Sequence, residues 1–310
     1  MYLGIDFLVT KEPKPYVIEM NVGLPGGAQE YHLTHLVHYG EPSDIFKRIE
    51  GTSLRVYGRP FKDYLHSLPF IESLKPFKIW MDGEGPFPTT FHPGLRLEDK
   101  WVQYQLIKSI APMPETIIFD PRDLSEALRF LEQNGQTVLK RRLGRGGRGL
   151  QIITDPGVLR SPGLSSRPYL LQELIPSQTD GFTFSIRSVA FGGEFMCMYA
   201  NLSRRSYSNH GLLAFVSEGE TVGLTEKDFG TKSFNQRSWE AEIWFGEKEP
   251  SYLRHNLYED EVARTTLRLP KSLYRKIQEL SVKIERFYEG LDFAALPEAC
   301  FEREMGTRIS

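Results

Sequence analysis

The stretch "VIEMNVGLPGG", residues 17–27, decides how the rest of the chain is interpreted. Its apolar run carries a carboxylate at Glu19 and an amide at Asn21, and a glycine-rich turn follows. In a β-strand, residues i and i+2 face the same side, so these two side chains are predicted to point together. The preceding run "YLGIDFLV" is also typical of a strand, and "TKEPKP" between the two is typical of a turn. Residues 2–22 are therefore predicted to form a β-hairpin.

The bulk composition excludes several classes of protein. The chain has 310 residues, of which 40% are hydrophobic and 25% charged, which is ordinary for a globular protein. Its 38 basic and 40 acidic residues leave a formal net charge of -2, so no global field favours nucleic acid or an anionic membrane. Cys197 and Cys300 form no CxxC pair, and we find no signal-like N-terminus and no run of about 18 apolar residues. A soluble, cytoplasmic protein is expected, with neither nucleic acid nor a membrane as partner.

The order of predicted elements changes along the chain. Residues 98–110 are predicted to form a helix, with Trp101, Gln105 or Leu106, and Ile110 at helical spacing. A strand at 115–119 and an amphipathic helix at 120–135 follow. Strands are then predicted at 137–143, 149–154, 169–175, 183–191 and 194–203, and a long helix at 271–289. Residues 51–97 are expected to be loops and short strands, and no pattern is evident at 201–240.

A basic glycine-rich segment, "KRRLGRGGRGLQIIT", spans residues 140–154. Glycines let backbone amides approach an anion closely, and the four arginines of the segment add positive charge. The segment lacks the Gly-Lys-Ser/Thr of a Walker A loop, and a strand rather than a helix follows it, unlike a Rossmann fingerprint. The pattern indicates a flexible hairpin that folds over phosphates, although an exposed basic turn remains an alternative.

Two strands beside this segment carry polar residues among apolar ones. Lys140 ends the apolar strand "TVLK", where an anion would explain a lysine. Gln172 and Glu173 lie within "LLQELI", and Pro176 follows. A strand that exits through a proline leaves backbone groups available to recognise adenine. The alternative is that Glu173 lies on the solvated face of an edge strand.

Taken together and in order, these motifs resemble those of the ATP-grasp superfamily, which includes D-alanine–D-alanine ligase, glutathione synthetase and biotin carboxylase. The resemblance covers roughly residues 98–300 and the N-terminal hairpin. It implies an α+β fold of two subdomains that grip a nucleotide, with a displaced N-terminal β-hairpin. The expected divisions are the hairpin region 1–50, a reduced preceding region 51–113, a first subdomain 114–176 with the glycine loop, and a second subdomain 177–310.

The same resemblance implies roles for individual residues. Those that would hold ATP are the phosphate-binding lysines Lys100 and Lys140, the glycines Gly146, Gly147 and Gly149 of a mobile flap, and the adenine-binding hinge of Gln172, Glu173 and Ile175. Those that would act on the reacting groups are Arg187 near the γ-phosphate, and Arg204 or Arg205 with Asn209 on the acceptor side. The alternative for each of the three arginines is an ordinary surface charge.

The resemblance also implies a Mg²⁺ site, for which two positions compete. In the family, an acidic residue after a glycine and a Glu-x-Asn pair lie on the last two strands, and the spacing of Asp6, Glu19 and Asn21 matches that pattern. Here the usual position holds "GLDFAALPEACFERE", where Asp292, Glu302 and Glu304 are the corresponding acidic residues. Either the chain is permuted or duplicated and the hairpin holds the metal, or the C-terminal residues do; we favour the hairpin. Ordinary strand carboxylates are the third reading.

The function implied is an ATP- and Mg²⁺-dependent ligase that joins a small-molecule carboxylate to an amine, or to a thiol, through an acylphosphate. No side-chain nucleophile is needed for this chemistry. A non-catalytic ATP-binding module and a phosphotransferase on the same scaffold are the alternatives, and a homodimer is left open. In one departure from the family, the usual substrate-binding N-terminal domain is missing or reduced to residues 30–97.

Overall fold

The computed structural model describes residues 3–22, 27–45, 48, 55–56, 59–60, 96–97, 99–143, 150–161, 164, 168–204, 211–235 and 259–300. The helices in these ranges are α1 (Ala28–Tyr39), α2 (Lys100–Ile107), α3 (Ser125–Asn134) and α4 (Lys271–Glu289). The strands are β1 (Leu3–Val9), β2 (Pro15–Val22), β3 (Arg55–Val56), β4 (Arg59–Pro60), β5 (Thr116–Phe119), β6 (Thr137–Arg141), β7 (Gln151–Ile153), β8 (Tyr169–Glu173), β9 (Gln178–Thr179), β10 (Phe182–Phe191), β11 (Glu194–Ser203), β12 (Leu212–Gly219), β13 (Gly223–Leu224), β14 (Thr231–Asn235) and β15 (Glu259–Pro270). The mixed class confirms the predicted α+β fold.

The predicted N-terminal hairpin is an integral part of the larger sheet. The strand order of this larger sheet is β13-β15-β12-β11-β10-β1-β2, with β14 also pairing with β15 and β9 with β10. Strand β1 is antiparallel to both of its neighbours, β10 and β2, whereas β12 and β15 run parallel. The hairpin, which the resemblance predicts to be displaced along the chain, forms one end of this sheet.

Helix α4 covers one face of the larger sheet and α1 covers part of the other. The main hydrophobic cluster joins Ile277 and Ile284 of α4 to Ile5 and Phe7 of β1 and to Ile186 of β10. On the opposite face, Leu33 of α1 packs in a separate cluster with residues of β11, β12 and β15. Side chains along a strand alternate between the two faces of the sheet. A residue next to one that faces α4 therefore points to the opposite face, where α1 lies.

The smaller sheet has the order β5-β8-β6-β7, with all pairs antiparallel. Phe130 and Leu131 of α3 pack on one face, against Leu139 and Leu171. Strand β8 is central because it pairs with β5 on one side and with β6 on the other. The alternative that placed Glu173 on an edge strand is therefore wrong.

Several local predictions differ from the structure. Strands β12 and β15 were not predicted. In α2 the buried residues are Lys100, Val102, Gln103 and Ile107, whereas Gln105 is exposed. Within the C-terminal echo of the hairpin, Phe293–Ala295 form a short 3-10 turn, and Asp292 accepts a hydrogen bond from the Ala294 amide. Within the described part of the chain, none of the helices combines the length and the apolar character that a membrane crossing requires.

A cavity substitution tests whether the hairpin belongs to the main core. Ile5 is fully buried between β10, β2 and α4, so Ile5→Ala should lower the free energy of unfolding by roughly 2–5 kcal/mol. Ile118 is 39% exposed, and Ile118→Ala should cost less than about 1 kcal/mol. Urea unfolding of both variants measures the difference. Equal effects of the two substitutions would mean that the hairpin is not part of the core.

Candidate functional site

Strand register brings three predicted site residues into one row across the larger sheet. On β1, Asp6 lies opposite Arg187 of β10 and also opposite Glu19 of β2. Asn21 follows two residues after Glu19, so it extends the row along the same face of β2. Ile5 and Phe7, on either side of Asp6, point into the α4 core. The row therefore faces away from α4.

A β-bulge in β2 makes this arrangement possible. Asp6 pairs with Glu19, but the next residue, Phe7, pairs with Val17, so Ile18 is an extra residue on β2. Without the bulge, Val17 and Glu19 would face the same side of the strand. With it, Val17 is buried in the α4 core while Glu19 faces the opposite side. The bulge thus places the Glu19 carboxylate on the face away from α4, although Val17 and Met20 of the same strand are buried in the core.

The carboxylate of Asp6 is bound by side chains from both of its neighbouring strands. The Arg187 guanidinium donates through Nε to Oδ1 and through Nη2 to Oδ2, the second bond being 2.8 Å long. The Asn21 amide Nδ2 also donates to Oδ2, at 3.2 Å. Burial opposes the charge on Arg187, but Asp6 outweighs it, and the pKa of Arg187 is raised. Arg187 is therefore charged.

Helix α2 brings a lysine to Glu19. The Lys100 ammonium lies 3.2 Å from the Glu19 carboxylate oxygen Oε1, and 27% of the Glu19 side chain is exposed. Burial alone would raise the pKa of Glu19, but the positive charges of Lys100 and Lys140 outweigh that effect and lower it. Glu19 is thus a stable carboxylate beside two lysines from different elements.

Lys140 connects the smaller sheet to the larger one. Its ammonium donates to the Gln172 side-chain oxygen at 2.8 Å and to the carbonyl of Ile18, the bulge residue, at 3.2 Å. Gln172 in turn donates to the Thr116 hydroxyl at 2.8 Å. Burial and the nearby Lys100 lower the pKa of Lys140 to about 8, while Glu19 acts in the opposite direction. Lys140 is therefore a buried cation that is easily deprotonated.

The site holds three cationic side chains and two carboxylates. Its net positive charge therefore favours binding of a polyanion over binding of a metal cation alone. Mg²⁺ prefers hard oxygen ligands and commonly takes one or two carboxylates together with substrate phosphates. Asp6, Glu19 and the Asn21 amide offer oxygen ligands of that kind. Among the described residues, no group of three or more His, Cys, Asp or Glu could hold a metal ion. The donor set fits a Mg²⁺ that takes its remaining ligands from phosphate and water.

The start of α1 packs against this row. Gly27 has a φ of 115°, and a Cβ there would lie 2.6 Å from Val189 Cγ2 and 3.5 Å from Arg187 Cγ. Any other residue at this position would be strained and would collide with Val189. The Gly27 amide donates to Glu30 Oε2 at 2.7 Å, which ties the first turn of the helix to its own cap. The residue that precedes α1 is thereby held close to β10.

The other predicted residues are only partly described. Gly146, Gly147, Gly149, Arg205, Asn209, Glu302 and Glu304 lie outside the described residues. The Arg204 guanidinium lies 5.4 Å from the centroid of the Phe182 ring, at the end of β11. Asp292 is exposed in its 3-10 turn. The structure therefore brings together Asp6, Glu19, Asn21, Lys100, Lys140, Arg187 and Gln172, and leaves Arg204 and Asp292 in other surroundings.

The predicted hinge differs in detail from the expectation. Gln172 lies in register with Thr116 and with Val138, so its backbone serves the sheet on both sides. Its side chain bonds Lys140, as described above. The Glu173 amide bonds the carbonyl of Glu115, and its carboxylate accepts the Glu115 amide. The backbone of Gln172 and the amide of Glu173 are therefore engaged within the sheet, and Ile175 is buried.

Two residues of the site were missed. Asp99, fully buried, caps α2 by accepting the Trp101 amide and forms a bidentate pair with Arg142, at 3.1 and 2.7 Å. An aspartate before a helix can be recognised from the sequence as a cap. Its pairing with Arg142 cannot, because the two residues are 43 positions apart along the chain. Gln103, one turn after Lys100, bonds the backbone of Met20 between Glu19 and Asn21. Nothing in its sequence context distinguishes it from the exposed Gln105.

Comparisons with known proteins give distant structural likeness. No protein-family model matches the chain, and no curated protein matches it. It is similar to the ATP-grasp ligase PsnB complexed with minimal precursor, Mg and ADP, at 18% identity and a TM-score of 0.27, over 46% of each chain. With PsnB and minimal precursor the identity is 13% and the TM-score 0.33, over 74% of this chain and 56% of that one. With a RimK domain protein, ATP-grasp, from Sphaerobacter thermophilus the values are 14% and 0.29, over 66% and 73%.

The match spans about half the length of the PsnB chains. Likeness at such low identity and TM-score shows nothing of substrates or activity, which must be argued from the residues themselves.

The lowered pKa of Lys140 predicts a pH dependence of stability. Between about 8 and the ordinary value of 10.5, the unfolded chain binds more protons at this amine than the folded chain does. The contribution of Lys140 to the free energy of unfolding should therefore rise as pH rises through 8. Chemical unfolding of the wild type and of Lys140→Met between pH 7 and 10 should show their difference moving in favour of the wild type. Lys11→Met corrects for the loss of one exposed positive charge, and a difference independent of pH would contradict the assignment.

Proposed function

We propose that the chain is an ATP- and Mg²⁺-dependent ligase of the ATP-grasp type, which joins a carboxylate to an amine or a thiol through an acylphosphate. The proposal rests on one observation: Lys100, Lys140 and Arg187 all contact oxygen atoms of the hairpin. These groups come from α2, from the smaller sheet and from the larger sheet. Surface charges on separate elements would not converge on one pair of carboxylates in this way.

The convergence suits phosphoryl transfer. This reaction depends on positioning and on neutralising charge at the transferred phosphoryl group, and it needs no side-chain nucleophile. Lys140 and Lys100 would bind phosphate oxygens of ATP, and Arg187 would neutralise charge near the γ-phosphate. Asp6, Glu19 and Asn21 would hold Mg²⁺, which would supply positive charge to neutralise the phosphates. Each carboxylate must then exchange part of its present pairing with a cation for the metal.

The reaction proposed has two steps. A carboxylate oxygen of the first substrate attacks the γ-phosphorus, the bond to the bridging oxygen breaks, and ADP leaves. The nitrogen of an amine, or the sulfur of a thiol, then attacks the acyl carbon, inorganic phosphate leaves, and the attacking group loses its proton. The chain's residues contribute orientation and charge in both steps. Arg204, Arg205 and Asn209 are retained as proposals for the acceptor side, and the flap glycines for covering the phosphates.

Between the two positions weighed for the metal, the hairpin is better supported. Its three donors share one face within a row that includes Arg187. Asp292 instead caps an exposed turn through its own Oδ1. We therefore propose Asp6, Glu19 and Asn21 as the ligands.

One observation favours the alternative of a module that binds ATP without turnover. Both carboxylates already have a cationic partner, Arg187 for Asp6 and Lys100 for Glu19, so neither needs a metal to balance its charge. Such a protein would bind ATP yet release no phosphate whatever carboxylate and amine were offered. A screen of amino acids and small acids for phosphate release, with mass analysis for an amide product, distinguishes it from a ligase. A phosphorylated stable product would indicate a phosphotransferase.

The proposal predicts that Lys140 contributes to nucleotide binding. Replacing it should remove a charge-assisted hydrogen bond to phosphate, so Lys140→Ala should weaken ATP binding by roughly 1.5–3 kcal/mol. Calorimetric titration with ATP measures this, with Lys11→Ala as an exposed control. Unchanged ATP affinity in Lys140→Ala would count against a phosphate-binding role.

Substitution of the proposed metal ligands should separate binding from turnover. Glu19→Gln and Asn21→Ala should each lower ATP turnover by on the order of 10²-fold, because the developing charge loses preorganised stabilisation. ATP affinity should change little, since the lysines and the adenine contacts remain. The matched control Asp292→Asn should turn over ATP at the wild-type rate. Full activity in Glu19→Gln together with an inactive Asp292→Asn would place the metal at the C-terminal position instead.

A further inference from the structure

Among the described strands, β2, which carries the proposed metal ligands Glu19 and Asn21, lies at the edge of the larger sheet and pairs with β1 only. An edge strand presents backbone groups that have no strand partner, and buried groups of this kind must bond elsewhere. In β2 other parts of the chain supply those bonds. The Val17 amide donates to the carbonyl of Pro112 at 2.9 Å, and the Ile18 carbonyl accepts from Lys140. Beyond the bulge, both backbone groups of Met20 bond one side chain, that of Gln103.

The Gln103 amide takes the place of a neighbouring strand. Its Oε1 accepts the Met20 amide at 3.1 Å, and its Nε2 donates to the Met20 carbonyl at 2.7 Å. The same Nε2 also donates to the carbonyl of Leu97 at 2.7 Å. The side chain is 2% exposed, so these bonds do not compete with bulk water. A buried amide that satisfies both groups of one residue fixes that residue's peptide planes.

The residue held in this way lies between two proposed metal ligands. Met20 separates Glu19 from Asn21, and its two peptide bonds set the directions of both side chains. Gln103 and Lys100 lie three residues apart on α2, so they share one face of the helix. That face therefore contacts the Glu-x-Asn segment twice, through the Glu19 carboxylate and through the Met20 backbone.

We propose that Gln103 is a positioning residue for the divalent cation. By holding the Met20 backbone at the sheet edge, it keeps the Glu19 and Asn21 oxygens directed to one point. Without it, the end of β2 would be attached to the sheet through β1 alone. This inference rests on the proposed function, because it requires that the hairpin binds the cation. Loss of groups that orient metal ligands commonly lowers metal affinity by about 10–100-fold.

The test uses Mn²⁺ as the probe and three variants of the full chain. Gln103→Met keeps the length of the side chain and removes both bonds to Met20. Gln103→Glu keeps an acceptor for the Met20 amide but loses the donor to its carbonyl. Gln105→Met is the matched control, the same substitution on the exposed side of the same helix. Each protein is titrated with Mn²⁺ in the presence of ADP, and with ADP in the absence of metal, well below its unfolding temperature.

We expect Gln103→Met to bind Mn²⁺ about tenfold more weakly in the presence of ADP, and Gln103→Glu to bind with intermediate affinity. Affinity for ADP without metal should change less than about twofold, and Gln105→Met should match the wild type. A purely structural role would lower thermal stability but leave the Mn²⁺ affinity of the folded protein unchanged. Such a result, with unaltered Mn²⁺ affinity in Gln103→Met, would overturn the inference.

Two further outcomes keep the inference separate from the proposed function. A wild-type protein that binds no Mn²⁺ with ADP would refute the metal site itself, and with it the role of Gln103. If the Gln103 variants do not fold, amide hydrogen exchange of the wild type decides. The Met20 amide should then exchange as slowly as the interior amides of β1, although β2 is an edge strand. Fast exchange at Met20 would show that Gln103 does not hold it, and would overturn the inference.

Discussion

The position of β1 between β10 and β2 is the constraint on which the candidate site depends. It places Asp6 beside Arg187 on one side and beside Glu19 on the other. The register is held by Ile5 and Phe7, which are buried against α4, and a slip by one residue would turn every side chain of β1 to the other face. The bulge at Ile18 then brings Glu19 onto the same face as Asp6 while Val17 stays in the core. A short hairpin thus supplies both residues of the hydrophobic core and residues of the candidate site.

The charges of the site compensate one another across separate elements. A buried charge without a partner is costly, and breaking a buried pair is strongly destabilising. Asp6 has Arg187, Glu19 has Lys100, and Lys140 bonds a side-chain oxygen and a backbone carbonyl. The depressed pKa of Lys140 shows that this compensation is incomplete for the third cation. An anion bound at Lys140 would complete it, which gives the cluster a physical reason to bind phosphate.

Runs rich in β-branched and aromatic residues, with a polar turn between two of them, predicted the hairpin, β10 and β11, and the apolar face of α4 predicted that helix. Strand β15 gave no such signal, because charged residues interrupt the apolar residues and threonines of its sequence, EDEVARTTLRLP. The row of Asp6, Glu19 and Asn21 followed from the resemblance of the hairpin's spacing to the ATP-grasp pattern. The bulge did not, because it depends on which residue of β1 each residue of β2 meets. Gln103 was not predictable either, since its partner Met20 lies 83 positions away along the chain.

The central claim is that the hairpin, although it comes first in the chain, holds the metal that the ligase reaction requires. Anomalous diffraction from crystals grown with Mn²⁺ and a non-hydrolysable ATP analogue tests it most directly. The account predicts an anomalous peak within bonding distance of oxygens of Glu19 and Asn21, close to Asp6, with the phosphates beside Lys140. A peak at Asp292 instead, or a bound nucleotide with no metal near the hairpin, would contradict it.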